Sequence, residues 1–140
     1  MVSRADRTTS TDKKLEYFSD FSINLDANPF TGALARATNE QAVVRAVKNM
    51  IMTSVGERKY DSLHIGSSVE DTVFDLPGQF AQEDVERSVR NTLQFDRRAE
   101  LLSLTIHDQT SDGGYFVVLV LKVLNLPDPI ELKLIIRRSR

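Results

Sequence analysis

Apolar residues occupy the odd positions Leu15, Tyr17, Phe21, Ile23 and Leu25, interrupted by Ser19, and this period of two predicts a half-buried strand. Asn28, Pro29, Thr31 and Gly32 then predict a turn. Beyond Thr38 the period changes. Val43, Val44, Val47, Ile51, Ser54 and Val55 recur at helical spacing while Arg45, Lys48 and Asn49 lie mostly off that stripe, so an amphipathic helix is expected. Thr38 and Gln41 are spaced as a capping box at its start, and Gly56 is expected to cap its end. Glu57 to Gly78 is a long connection carrying Tyr60, Leu63, Ile65, Val69, Val73, Phe74 and Leu76, too apolar for a solvated linker. A second helix is predicted from about Gln82 to Gln94, with Val85, Val89 and Leu93 at four-residue steps. Glu83 with Arg87 and Glu86 with Arg90 are i,i+4 pairs in the favourable order, each stabilising by ~0.2–0.5 kcal/mol.

The remainder reads as an antiparallel meander. Leu102, Leu104 and Ile106 alternate with Ser103, Thr105 and His107, which gives the first strand one wet face. Asp112, Gly113 and Gly114 are expected to supply the left-handed conformations of a hairpin loop. Tyr115 to Leu124 is apolar at nearly every position, as in a strand covered on both faces. Pro127, Asp128 and Pro129 turn the chain again, and Ile130, Leu132, Leu134 and Ile136 alternate with Glu131, Lys133 and Arg137. The expected fold class is therefore α+β. Two amphipathic helices pack on a mainly antiparallel sheet, preceded by an N-terminal strand and a flexible arm. Residues 1–14, polar and with Thr8, Thr9, Ser10 and Thr11 in succession, form the arm, and residues 15–140 form one domain.

Composition narrows the chemistry. A chain of 140 residues can bury roughly 70% of the surface exposed by its unfolded form, enough for one core without staples. With no cysteine, neither a disulfide framework nor a thiolate metal site is possible. The balance of 18 Lys plus Arg against 20 Asp plus Glu, a net charge of −2, argues against a generally nucleic-acid-binding surface. No apolar run approaches the ~20 residues that span a bilayer, and no signal-peptide apolar region is present, so a soluble, unexported protein without membrane contact is expected.

Candidate catalytic groups are sparse. Glu70, Asp71 and Asp75 lie together in the long connection, but a glycosidase needs two carboxylates flanking a sugar bond, and a solvated acidic loop explains the cluster far better. His64 and His107 are not spaced as a helical ligand pair and have no cysteine companions, so no metal or other cofactor is expected. Neither a nucleophile elbow nor a glycine-rich phosphate loop occurs, and an enzyme is not expected.

Three features suit interaction better. Gly56, Glu57 and Arg58 follow the first helix, either as a cap with a local salt bridge or as a docking element. Asp96, Arg97 and Arg98 form a charged elbow between helix and sheet where a structural turn more often carries Gly, Asn or Pro. The final strand, with Ile130, Leu132, Leu134 and Ile136, could offer an unpaired edge to another chain, or be an ordinary edge protected by Lys133, Arg137 and Arg138.

Several short motifs also carry a resemblance. Phe18-Ser19-Asp20-Phe21 resembles a Y/F-S-D-F entry strand, and Pro29, Thr31 and Gly32 resemble a P-x-T-G turn. Asn39, Glu40, Ala42 and Val43 resemble an N-E-x-A-V helix start, and Asn49, Met50, Ile51 and Thr53 resemble N-L-I-x-T at its end. Gly56-Glu57-Arg58 matches G-E-R, Gly66 with Ser67 matches a later G-S, and Phe74 with Asp75 resembles a closing F-E. In this order they are similar to the contractile-tail baseplate wedge family, which includes the gene-25-type wedge protein of myoviruses and the TssE component of type VI secretion. The chain departs from it in a loop from Arg58 to Gly66 that is one residue longer, with Ser62 near the family's Pro and Ile65 in place of an aromatic, and in Asp96-Arg97-Arg98 where the family has E-P-R.

The resemblance implies a structural role in the virion tail baseplate, assembled in the host cytoplasm. It implies docking of Asp96, Arg97 and Arg98 on the helical core bundle formed by other wedge proteins, a sixfold baseplate, and templating of the first sheath ring by strand exchange with the tail sheath protein. It implies Gly56, Glu57, Arg58 and Gly66 as the motif loop, and neither nucleic acid nor membrane as partner. Two other readings share features with this one: an anti-adaptor regulatory module like IraD, which has the same fold, and a lysozyme-like hydrolase.

Overall fold

The computed structural model describes residues 15–22, 27, 29–59, 66–69, 71, 79–109 and 114–137. Its elements are β1 (Ser19–Phe21), β2 (Arg36–Thr38), α1 (Glu40–Met52), α2 (Gln79–Leu93), β3 (Ala99–Gln109), β4 (Gly114–Val123) and β5 (Ile130–Ile136). β1 and β2 pair antiparallel as a short ribbon, and β3, β4 and β5 form an antiparallel sheet with β4 at its centre. The α+β class read from the sequence is thus observed. The N-terminal arm, His64, Glu70, Asp75, Arg138 and the hairpin residues Asp112 and Gly113 lie outside the described residues.

The core forms on one face of β4. Val117, Leu119 and Leu121 are fully sealed from water, and they pair in register with Ile106, Leu104 and Leu101 on β3 and with Leu134, Leu132 and Ile130 on β5. Burying each such side chain contributes about 1.5–3 kcal/mol. Val43, Val47 and Ile51 of α1 and Val85, Val89 and Leu93 of α2 complete this cluster, so the second predicted stripe faces the core and the first does so as far as Ile51, while Ser54 and Val55 lie past the end of α1 and Val55 is exposed. The outer face differs from expectation. Phe116, Val118 and Val120 are only half-buried, and their cross-strand neighbours His107, Thr105, Ser103, Ile135, Lys133 and Glu131 are exposed. β4 is therefore covered on one face, with the His107 ring stacked on Phe116 at 6.2 Å on the other.

A bulge corrects the phase of β3. The pairing shifts between Leu101 and Ser103, so Leu102 is the extra residue and is 52% exposed, while Leu101 packs on the core. Gly114 is not a left-handed loop residue but the buried first residue of β4. Glycine is required there by close approach, since a Cβ would lie 2.7 Å from the Ile136 carbonyl oxygen.

Helix termini also depart from the local signals. α1 starts after Asn39 with no side-chain cap, and Thr38 belongs to β2, so no capping box forms. The Asn39 side chain is committed elsewhere. Its Oδ1 accepts from the N–H of Tyr17 (2.8 Å) and of Phe18 (3.3 Å), and its Nδ2 donates to the Leu15 carbonyl (2.9 Å). With its own N–H donating to Phe18 O at 2.7 Å, this buried residue straps the entry strand to the head of the helix. Its positive φ of 47° is one that Asn tolerates better than most side chains. The strap also explains why the odd-position pattern does not bury. Leu15, Tyr17 and Phe21 remain exposed, and Phe18 packs against the core instead. At the other end α1 stops at Met52 with an extended Thr53, so Gly56, at φ 85°, belongs to the following turn and is not the cap. On α2, Glu86 pairs with Arg90 at 2.8 Å as expected, whereas Arg87 reaches Asp84 at 3.4 Å and not Glu83.

Because the strap satisfies polar groups of the backbone beside the core, Asn39→Ala is expected to cost about 1–3 kcal/mol in urea unfolding and to speed amide exchange at Tyr17 and Phe18. Asn39→Gly keeps the backbone freedom but not the strap, so it should lose a similar amount. A stable Asn39→Gly protein with unchanged exchange would show that φ alone matters.

Candidate functional site

The helix-to-sheet elbow is built by an acidic side chain turned inward. After α2 the chain tightens, with Asp96 N–H donating to Leu93 O at 3.0 Å and Ala99 N–H to Asp96 O at 3.4 Å. Asp96 is buried, and its Oδ1 accepts from the backbone N–H of Arg98 at 2.9 Å, the two-residue reach of an Asx turn. The Arg98 guanidinium closes the same loop as a fork, from Nε to Oδ1 at 2.9 Å and from Nη2 to Oδ2 at 2.8 Å. Leu124 N–H donates to Arg98 O at 2.8 Å, which ties the turn after β4 to the elbow.

The electrostatics follow from this geometry. The Arg98 hydrogen bond holds the Asp96 carboxyl below the usual carboxylate range, against the opposing effect of burial and with help from the Arg98 backbone N–H and charge. Hydrogen bonding to Asp96 likewise raises the Arg98 pKa, and Asp20 on β1 adds to it, so the entry ribbon lies within electrostatic reach of the elbow. Of the three sequence-predicted docking residues, Asp96 and Arg98 therefore hold each other and shape the turn, and Arg97 is the exposed one.

A cleft of about 560 Å3 opens beside the elbow, between the end of α2, the start of β3 and the turn after β4. Arg97, Arg98, Glu100 and Lys122 contribute charge to it, and Leu101 and Leu124 contribute apolar surface. Lys122 and Leu124 escaped the sequence reading because Tyr115 to Leu124 reads only as strand, whereas β4 ends at Val123 and Leu124 lies in the turn after it.

The motif loop sits on the other side of the last turn of α2. Glu57 caps locally, its Oε2 accepting from Ser54 N–H at 3.1 Å, and Arg58 is exposed. Ser54 and Ser67 form a parallel bridge, with Ser67 N–H donating to Thr53 O at 2.8 Å. Gly66 is required by this approach, because at φ 125° a Cβ would lie 2.8 Å from the Ser54 carbonyl oxygen. Thr92 Oγ1 donates to Gly66 O at 3.2 Å, and the Ser68 and Ser88 hydroxyls meet at 2.9 Å, which fastens the loop to α2. Gly66 and Ser67 thus meet Ser54 and Val55, directly before Gly56 and Glu57, while the Gly56 position itself has no close neighbour.

On β5, Leu132, Leu134 and Ile136 are buried and Ile130 is half-buried, so these side chains serve the core. Among the described residues β5 pairs with β4 alone, which leaves its other main-chain edge open together with the outward side chains of Glu131, Lys133 and Ile135. Also among the described residues, no group of three or more His, Asp or Glu is placed to hold a metal ion, and Asp71 is exposed.

No protein-family description and no curated protein matches the chain. Solved structures do. A crystal structure of a protein provisionally assigned as a tail lysozyme from Geobacter sulfurreducens matches with a TM-score of 0.65 at 20% identity, over 72% of this chain and 92% of that one. A chain of the sixfold-symmetrised cryo-EM baseplate of the anti-feeding prophage matches with a TM-score of 0.66 at 18% identity, over 79% of this chain and 89% of that one. At these identities the likeness is one of fold.

The lowered Asp96 pKa sets a pH dependence. A carboxyl depressed in the folded state stabilises above its unfolded pKa, and the contribution disappears as pH falls through the folded value. Asp96→Asn is expected to cost about 1–2 kcal/mol at neutral pH, less than a fully buried pair because Arg98 still meets water. The difference from wild type should close below the ordinary carboxylate range, as read by urea unfolding across pH. A difference that stays constant down to acid pH would contradict the ionic account.

Proposed function

We propose that this protein is a structural baseplate wedge subunit of a contractile injection tail. In this reading the elbow docks on the helical core bundle of the other wedge proteins, and the open edge of β5 accepts strands from the tail sheath protein, so that the domain templates the first sheath ring. The observation that carries it is the Asp96–Arg98 fork, which fixes the course of the elbow at the position of the E-P-R-like motif. The shared fold with a chain of the anti-feeding prophage baseplate supports the same reading.

The role is non-catalytic. The name of the Geobacter structure raises the hydrolase alternative, but Asp96, a buried carboxylate, is held ionised by Arg98. A glycosidase acid needs the opposite shift. Strand acceptance at β5 would use main-chain groups, since its alternate side chains are already committed to the core.

Reconstitution tests this directly. Wedge proteins assembled without the chain should fail to start sheath polymerisation in electron micrographs, and adding the purified chain should restore it. Sheath growth that is equally frequent with and without the chain would sink the proposal, and so would peptidoglycan cleavage by the purified protein.

A further inference from the structure

We propose that the space between the end of α1 and the end of β5 is a register pocket, which takes one aliphatic side chain from a strand added along the open edge of β5. This rests on the reading of β5 as a strand acceptor and adds which side chain that strand carries and where.

Pleat geometry places the pocket. Residues directly opposite on neighbouring strands turn their side chains to the same face, with Cβ atoms ~4.5–5.5 Å apart. Ile136 turns inward opposite Tyr115 on β4, and both are buried. A strand added on the free side of β5 therefore turns the residue opposite Ile136 inward too. Helix α2 lies over β3 and α1 lies over β5, so α1 is the helix that overhangs this free side. Between them lies a pocket of about 110 Å3, lined by Ile51 and Met52 at the end of α1, by Val69, and by Ile136 and Arg137 at the end of β5. It continues the open main-chain edge at the point where an inward side chain of the added strand arrives.

The walls select the occupant. Thr53, Ser54 and Ser67 also line the pocket, but their polar groups are engaged within the chain. Thr53 Oγ1 donates to Asn49 O at 2.6 Å, and Thr53 O accepts from Ser67 N–H at 2.8 Å. Ser54 N–H donates to Glu57 Oε2 at 3.1 Å, and the Ser67 hydroxyl donates to Ile51 O and accepts from Val69 N–H at 3.4 Å. The surface left for an occupant is apolar. Ile51, Val69 and Ile136 make a floor sealed from solvent, and Met52, 52% exposed, stands at the mouth, so the pocket has room for one inserted side chain and not for a flat surface. An apolar cavity of ~150 Å3 admits benzene, so this smaller one suits Val, Leu or Ile and excludes an indole. Arg137 lines the same space, and its charge disfavours Lys or Arg in the occupant. In strand addition main-chain pairing supplies affinity, and pockets for alternate side chains supply specificity. On the outer face of β5, Glu131 and Lys133 pair with each other at 3.1 Å and leave little there to choose a register. A slip by one residue turns the aliphatic side chain away from the pocket, so the pocket fixes the register of the added strand.

The test is the frequency of sheath starts on reconstituted baseplates carrying the wild-type chain, Met52→Trp, which fills the mouth of the pocket, or Met52→Leu, which keeps it open. Met52 is exposed, and urea unfolding curves that match wild type check that the fold is retained. Met52→Trp should enter the baseplate as wild type does and start sheath about tenfold less often, while Met52→Leu should match wild type. A diazirine-bearing methionine analogue at Met52 should crosslink to a Val, Leu or Ile of the sheath protein, and this near-native chain decides the matter even if Met52→Trp is less stable. Sheath starts as frequent with Met52→Trp as with wild type, or a crosslink to another wedge protein or to residues 70–78 of the same chain, would overturn this inference and leave the baseplate role standing. Sheath starts equally frequent with and without the chain would overturn both.

Discussion

The inner face of the central strand is the surface on which the domain depends. Val117, Leu119, Leu121 and Val123 are sealed there, with β3 and β5 in register on either side and both helices laid across. The elbow inherits its position from this layer. Ala99 pairs with Val123 at the end of the β3–β4 ladder, and the next residue on β4's side, Leu124, bonds back to Arg98. A shift in sheet register would therefore move the elbow and disassemble the cleft along with the core.

The elbow itself shows how a charged turn can be rigid without being a free docking charge. Two of its three charged residues neutralise each other through a bidentate fork and an Asx turn, at a place where burial alone would disfavour a carboxylate. The gain is geometry, because the fork and the Asx turn fix the course of the chain between α2 and β3. The opposite side of α2 is built the same way from neutral groups, with Ser88 and Thr92 fastening Ser68 and Gly66 of the motif loop to α2 while the Ser67 hydroxyl ties it to Ile51 of α1. Both surfaces are therefore set by the last turns of one helix.

Periodicity made part of this legible. The stripe of Val85, Val89 and Leu93 and the alternation of Leu132, Leu134 and Ile136 are burial patterns, and burial is what periodicity reports. It failed where a tertiary partner competed with a local rule. Asn39 gives its side chain to the entry strand and not to the helix, so the capping signal at Thr38 had no helix to cap. The bulge at Leu102 reversed the phase of half a strand, and a two-stranded ribbon left Tyr17 and Phe21 in water despite their alternation. At the candidate site the acid and the terminal arginine were legible as a pair of charges. Their inward partnership was not, because spacing gives no direction to a side chain. Lys122 and Leu124 join the site only through the fold.

The proposed role makes this domain a fixed part of a baseplate that meets its neighbours through the elbow and the sheet edge. A cryo-EM map of the assembled contractile particle tests it most directly. In that role the chain lies below the first sheath ring, with Asp96 to Arg98 against a helical bundle of other wedge proteins and β5 bordered by a strand from the sheath. A map in which the chain is absent from the baseplate, or in which the elbow and β5 both face solvent, would contradict it.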